Sequence, residues 1–206
     1  MAVQARYASS TFLGLSSDDK PDAAPGSKFL ELDTGIEYIC ITGTTWQVAT
    51  GVVVGQGARV TATRPANTTA YTAGDVVGAT AAALTFPVGF SGGEVLITSA
   101  ALEVDLSAVP SGMSSFTLQL YSVTPPSALA DNAAWDLPSG DRASYLGSVS
   151  LGSPVDVGST LYVEVNGINK QISAASGDIY GYLVTAGGYT PSSGEVYAIS
   201  LHTVRV

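Results

Sequence analysis

The chain has 206 residues, 46% of them hydrophobic and only 12% charged, with 23 Gly, one His, one Cys and a formal net charge of −9. Catalytic and metal-binding constellations draw on His, Cys and Lys to activate nucleophiles, shuttle protons or hold soft metals, and this chain is nearly without them. Its negative charge repels nucleic-acid phosphates, no Lys/Arg cluster reverses it locally, and Gly, Thr and Ser break every apolar run short of a membrane-crossing helix.

In chain order, Met1 to Tyr7 lacks the basic and apolar regions of a signal peptide, so synthesis and assembly are expected in a cytoplasm. The run Ser16 to Gly26 holds Pro21, Pro25, Asp18, Asp19 and Asp22, which disfavour helix and ladder alike; the first 26 residues read as an extended arm that orders against something else. Phe29 to Leu32 and Ile36 to Ile41 flank the Asp33-Thr34-Gly35 turn, and Thr42 to Trp46 leads into a third strand, which makes a small β-meander. Cys40, between two Ile, has no partner for a disulfide and reads as a small buried hydrophobe.

The domain boundary falls near residues 55 to 64, dividing the chain into a 1–60 arm and meander and a 61–206 domain. Strands are expected at Arg59 to Thr63, Glu94 to Leu106, Phe116 to Ser122, Tyr145 to Leu151, Leu161 to Asn166, Ile179 to Val184 and Val196 to Val204, a spacing typical of a sandwich or barrel. Phe116, Leu118 and Leu120 share one face and Thr117, Gln119 and Tyr121 the other, and Tyr197, Ile199 and Leu201 form a matching inner row. Pro125 to Trp135 could hold one or two helical turns from Ser127, too few to change an all-β class.

Each group that could carry chemistry has a plainer explanation. His202 shares a strand with Ser200 and Thr203, without a nucleophile elbow, and reads as a solvent-facing or interfacial His. Glu94, Glu103 and Asp105 are the carboxylates that a glycosidase-like acid pair would use, yet nothing in the sequence raises one pKa, and solvent-facing charge is the better reading. Asp131, Asn132, Asp136 and Asp141 supply hard oxygens without a calcium-loop spacing, so a solvated loop is expected. Trp135, with Asp131 and Asp136 nearby, is a candidate sugar platform, although such aromatic residues are as often core or interface anchors. Gly51 to Gly57 lacks the Lys-Ser/Thr ending of a phosphate loop. No metal or cofactor is expected.

Two segments carry a resemblance. Ser17 to Ile39, with Lys20-Pro21, Pro25-Gly26-Ser27 and Asp33-Thr34-Gly35, closing on Trp46, resembles a small β-module near the start of many tailed-bacteriophage virion proteins. Arg64 to Gly78 resembles the opening of a β-sandwich domain in phage structural proteins. The resemblance implies an antiparallel, jelly-roll-like sandwich in a virion protein that assembles in the host cytoplasm. It also implies a homotrimer, with the major capsid protein or other virion proteins as partners. Lys20, Pro21, Phe29, Tyr38 and Trp46 would then serve attachment to the particle, as capsid decoration, cement or head fibre. Two alternatives stand beside it: a tail or neck fibre that binds host-surface glycans at Trp135, Asp131 and Asp136, and a glycan hydrolase that uses Glu94, Glu103 or Asp105.

Overall fold

No helix occurs among the described residues of the computed structural model, which are 10–49, 55–88, 93–174 and 177–206. The chain is all-β, as its alternating segments rich in Val, Ile, Thr and Tyr require. It divides into two units, Met1–Val54 and Gly55–Val206.

In the first unit, β1 (Thr11–Gly14), β2 (Lys28–Glu31), β3 (Glu37–Thr42) and β4 (Thr45–Val48) form a four-stranded sheet in sequence order. The expected meander is there as β2 to β4. The segment read as an arm adds β1, which runs parallel to β2, with Phe12 beside Phe29 and Leu13 beside Leu30. Parallel neighbours need a crossover, and residues 15–27 provide it without a helix. This crossover is ordered by its own unit. Ala23 bridges Gly43, and the Trp46 Nε1 donates to the Pro21 carbonyl at 2.9 Å. Cys40 is buried, with its Sγ 3.1 Å from the carbonyls of Ala23 and Gly43.

The second unit comprises β5 (Gly55–Thr63), β6 (Val76–Val77), β7 (Leu84–Pro87), β8 (Gly93–Val104), β9 (Phe116–Tyr121), β10 (Tyr145–Gly152), β11 (Val155–Asp156), β12 (Leu161–Ala174), β13 (Asp178–Thr185) and β14 (Val196–Arg205). One sheet runs β11-β12-β8-β14-β5; the other runs β10-β9-β13, with β6 and β7 both on the far side of β13. Taking β6 and β7 as one broken strand and setting the two-residue β11 aside, the two sheets follow the strand order of a jelly roll, with first beside last. The sandwich core lies between the two expected rows: Phe116, Leu118 and Leu120 on β9 and Tyr197, Ile199 and Leu201 on β14 are fully buried.

The other face of β9 departs from expectation. Tyr121 and Gln119 are buried, because the long connection from Ser122 to Ser144 crosses the outer face of this sheet. Val76, Ala82, Tyr121, Tyr182 and Val184 form a second core beneath it, closed by Leu129, Trp135, Leu137 and Tyr145. The helical turns that Ser127 could have begun do not form. The Ser127 carbonyl accepts from the Tyr182 hydroxyl and the Leu129 amide donates to it, both at 3.1 Å, so a side chain takes the groups a helix would pair.

Candidate functional site

The five residues singled out in the first unit lie together. The Lys20 ammonium sits 4.0 Å from the centre of the Tyr38 ring and 5.1 Å from that of Phe29, and it pairs with Glu31 at 2.8 Å. The Phe29 and Trp46 rings meet edge to face at 6.0 Å, and Trp46 holds Pro21 by the bond described above. Burial alone would raise the Glu31 carboxyl. Hydrogen bonds from Lys20, Thr34 and Tyr38 outweigh that and hold it below the ordinary glutamate range.

This cluster closes one face of the small sheet. Because side chains alternate along a strand, Leu13, Leu30 and Ile39 occupy the opposite face, with the Lys28–Glu37 ion pair beside them. On that face Leu13 is 63% exposed and Leu32, just beyond β2, is 62% exposed, while Leu30 and Ile39 are half-buried.

In the jelly roll Asp131, Glu195 and Asp141 are committed to structure. Asp131 pairs with the wholly buried Arg64 at 3.1 Å and accepts from the Tyr71 hydroxyl and, at 3.2 Å, from the Gly78 amide. Arg64 also donates to Tyr71, to both the carbonyl and the side chain of Asn67, and to the Ser192 carbonyl. Burial works against its charge, but the Tyr71 hydroxyl and Asp131 outweigh this and raise its pKa. Tyr71 itself is pushed well above the usual tyrosine range, chiefly by burial. Next to this network the buried Glu195 accepts from the Tyr189 and Tyr197 hydroxyls and from the Ser192 amide. Tyr189 and Tyr197 are likewise raised, first by burial. Asp141 is buried too and accepts from the Ser127 amide and hydroxyl at 3.2 Å.

The expectation of a solvated acidic loop is therefore corrected for Asp131 and Asp141, which staple the loop down; only Asp136 stays exposed. Trp135 is half-buried, donates to the Tyr121 hydroxyl at 3.2 Å and leans on Tyr145 with ring centres 6.1 Å apart. Sequence reasoning passed over Arg64, Tyr71 and Glu195. The signal available was scarcity: one of only eight Lys and Arg residues, set next to a Pro between strands, had a reason to be there.

The remaining candidates stay on the outer face of the β5-containing sheet. Glu103 pairs with Arg59, Glu94 accepts from Gln171 at 3.5 Å, and Asp105 is exposed just past the end of β8. Glu94 and Glu103 are nine residues apart on one strand, roughly 30 Å, beyond an acid pair's reach of roughly 5–10 Å, whereas Glu103 and Asp105, at i and i+2, share a face beside Arg59, which pairs with Glu103. His202 is exposed between Gly57 and Ser99. Among the described residues no group of His, Cys, Asp and Glu is placed to hold a metal ion, and every buried polar side-chain atom has a partner. Of the glycine-bearing segment Gly51 to Gly57, residues 51–54 lie outside the described residues and Gly55 onward is strand.

No family model matches the chain, and no curated protein matches it. Among solved structures it is similar to the capsid of Ralstonia phage GP4, with 17% identity and a TM-score of 0.37 over 77% of this chain and 87% of that one. It is also similar to infectious bursal disease virus strain Gx, with 13% identity and a TM-score of 0.34 over 90% of this chain but only 38% of that one. A third likeness is to the capsid of Helicobacter pylori bacteriophage KHP30, with 12% identity and a TM-score of 0.27 over 74% of this chain and 93% of that one.

Proposed function

We propose that the chain is a non-enzymatic structural component of a bacteriophage particle, a capsid decoration, cement or head-fibre protein anchored through its N-terminal unit. The observation that carries this reading is the division of labour in the small sheet. Its Lys20, Pro21, Phe29, Tyr38 and Trp46 face is closed by the unit's own crossover, while on the other face Leu13 and Leu32 are exposed beside the half-buried Leu30 and Ile39. The closed face gives the module its rigidity, and the Leu13 face supplies apolar contact with the major capsid protein or another virion protein. The jelly roll then projects from the particle or cements neighbouring subunits, in the trimer that the resemblance implies. Its polar networks fit that role, since they fix loops in place and leave no buried polar side-chain atom among the described residues without a partner.

The test is quantitative mass spectrometry of purified particles, giving copies of this chain per major capsid protein, for the wild type and for Leu13→Glu. Hundreds of copies indicate decoration or cement, and a few to a few tens indicate a head, neck or tail fibre. Loss of the variant from particles, with its jelly roll still folded, supports attachment through the Leu13 face. Absence of the wild-type chain from particles would overturn the virion reading.

A further inference from the structure

Sheet edges with unpaired amides invite pairing with another chain, and most edges in the jelly roll are blunted against it. Strand β6 has two residues and β7 four ending in Pro87, β10 is interrupted by irregularities at Tyr145/Gly147 and Ser150/Gly152, and β12, which the two-residue β11 covers only at Leu161 and Tyr162, carries Lys170 and a register shift between Asn166 and Lys170. Strand β5 differs. Among the described residues it pairs with β14 alone, through nine successive residues from Gly55 to Thr63, without a register shift. It contains no Pro or Lys, and its single charge, Arg59, is neutralised by Glu103.

The direction of its free groups follows from the ladder. The Arg64 amide donates to the Glu195 carbonyl, so even-numbered residues of β5 bond towards β14, while the amides and carbonyls of Gly57, Arg59, Thr61 and Thr63 point away from it. Val60 adds a second sign. It lies on the sandwich-facing row between the buried Ala58 and Ala62, yet is itself only half-buried.

We propose that β5 is a two-fold interface, pairing antiparallel with β5 of a second copy of this chain about an axis through Val60. In that register Gly57 faces Thr63 of the other copy and Arg59 faces its Thr61, each pair exchanging both backbone bonds, and Val60 meets Val60 in the close, non-hydrogen-bonded position. Each Arg59 keeps its own Glu103. An axis through Arg59 would oppose like charges, one through Thr61 would bring Pro65 into the ladder, and one through Ala58 would set Val60 against the polar Gln56 of the other copy. Such a contact is isologous and closes on itself, so it gives a discrete pair of chains rather than a fibre. The contact rests on the geometry of β5 alone, and a three-fold assembly on a particle would use a different surface.

The test uses the full chain with Cys40 replaced by Ala. Facing residues at a non-hydrogen-bonded position are close enough for a disulfide, so Val60→Cys is expected to cross-link two chains under mild oxidation, giving twice the 20.9 kDa chain mass on a non-reducing gel. Thr63→Cys, about 20 Å from its symmetry mate in this register, should not cross-link. Thr61→Pro removes an outward amide, Thr61→Lys charges the edge, and each should halve the native mass measured by light scattering. Cross-linking by Val60→Cys no faster than by Thr63→Cys, or a native mass unchanged in folded Thr61→Pro and Thr61→Lys, would overturn the proposal.

Discussion

Arg64 and Asp131, 67 residues apart in sequence, meet at 3.1 Å with almost none of either side chain in contact with water. The pair ties the end of β5 to the connection that covers the outer core. Removing one member leaves the other charge buried without a partner, which costs about 3–5 kcal/mol, far more than the pair contributes over an apolar replacement. Asp131→Ala is therefore expected to lower jelly-roll stability by that amount in urea unfolding. Asp136→Ala, at an exposed carboxylate, should change it by less than about 0.5 kcal/mol. The double variant Arg64→Met/Asp131→Leu should recover much of the loss, because no orphaned charge remains.

Trp135 separates a structural role from a ligand-binding one. Its ring packs on Tyr145 and its indole nitrogen holds the Tyr121 hydroxyl, so Trp135→Ala exposes part of the second core. For a half-buried ring the expected cost is about 2 kcal/mol, below the full core value. Thermal unfolding alongside a glycan-array comparison checks it. Unchanged stability with lost glycan binding would contradict the structural role and favour the sugar platform.

Much of the fold was legible because strand alternation is a local signal. Phe116, Leu118 and Leu120, and Tyr197, Ile199 and Leu201, announce an inner row by themselves. The outer core was not legible from the same strand. A single sheet face looks polar or mixed until a distant segment covers it, and the Ser122 to Ser144 connection, with its Pro and Asp residues, carries every mark of a solvated loop. The Arg64–Asp131 pair was hidden for a related reason: no local pattern links residues 67 positions apart. In the first unit the cluster of Lys20, Pro21, Phe29, Tyr38 and Trp46 was found through resemblance, whereas the Leu13 face opposite it required knowing that β1 joins the sheet. Short pairings such as β1, β6 and β7 depend on their neighbours more than on their own composition.

Gly181 allows β13 to lie close against β9. A Cβ at this position would stand 2.7 Å from the Gln119 carbonyl oxygen, inside van der Waals contact, and the backbone there cannot swing aside without breaking the ladder. Gly181→Ala should destabilise the jelly roll by about 1–3 kcal/mol, the usual cost of overpacking. Gly140→Ala, where a Cβ would meet nothing, should be close to neutral. Denaturant midpoints of the two variants provide the comparison, and equal midpoints would show that β13 and β9 can separate without loss.

Glu31 makes the first unit sensitive to acid in a direction that follows from its surroundings. Its folded-state pKa lies below the unfolded value because Lys20, Thr34 and Tyr38 stabilise the ionised form more than burial opposes it. A depressed carboxylate contributes stability that is fully present above the unfolded glutamate value, about 4.3, and is lost as pH falls through the lower folded value. The first unit should therefore hold steady from neutral pH to about 5 and weaken below about 4. Glu31→Gln should remove this part of the pH dependence and cost about 1–3 kcal/mol at neutral pH, since the Lys20 ammonium keeps its position between Phe29 and Tyr38 without its counter-charge. The Trp46 indole resonance, whose donor is held by the Pro21 carbonyl, reports this unit separately from the jelly roll. A wild-type acid transition identical to that of Glu31→Gln would mean that other carboxylates set the acid limit of the attachment unit.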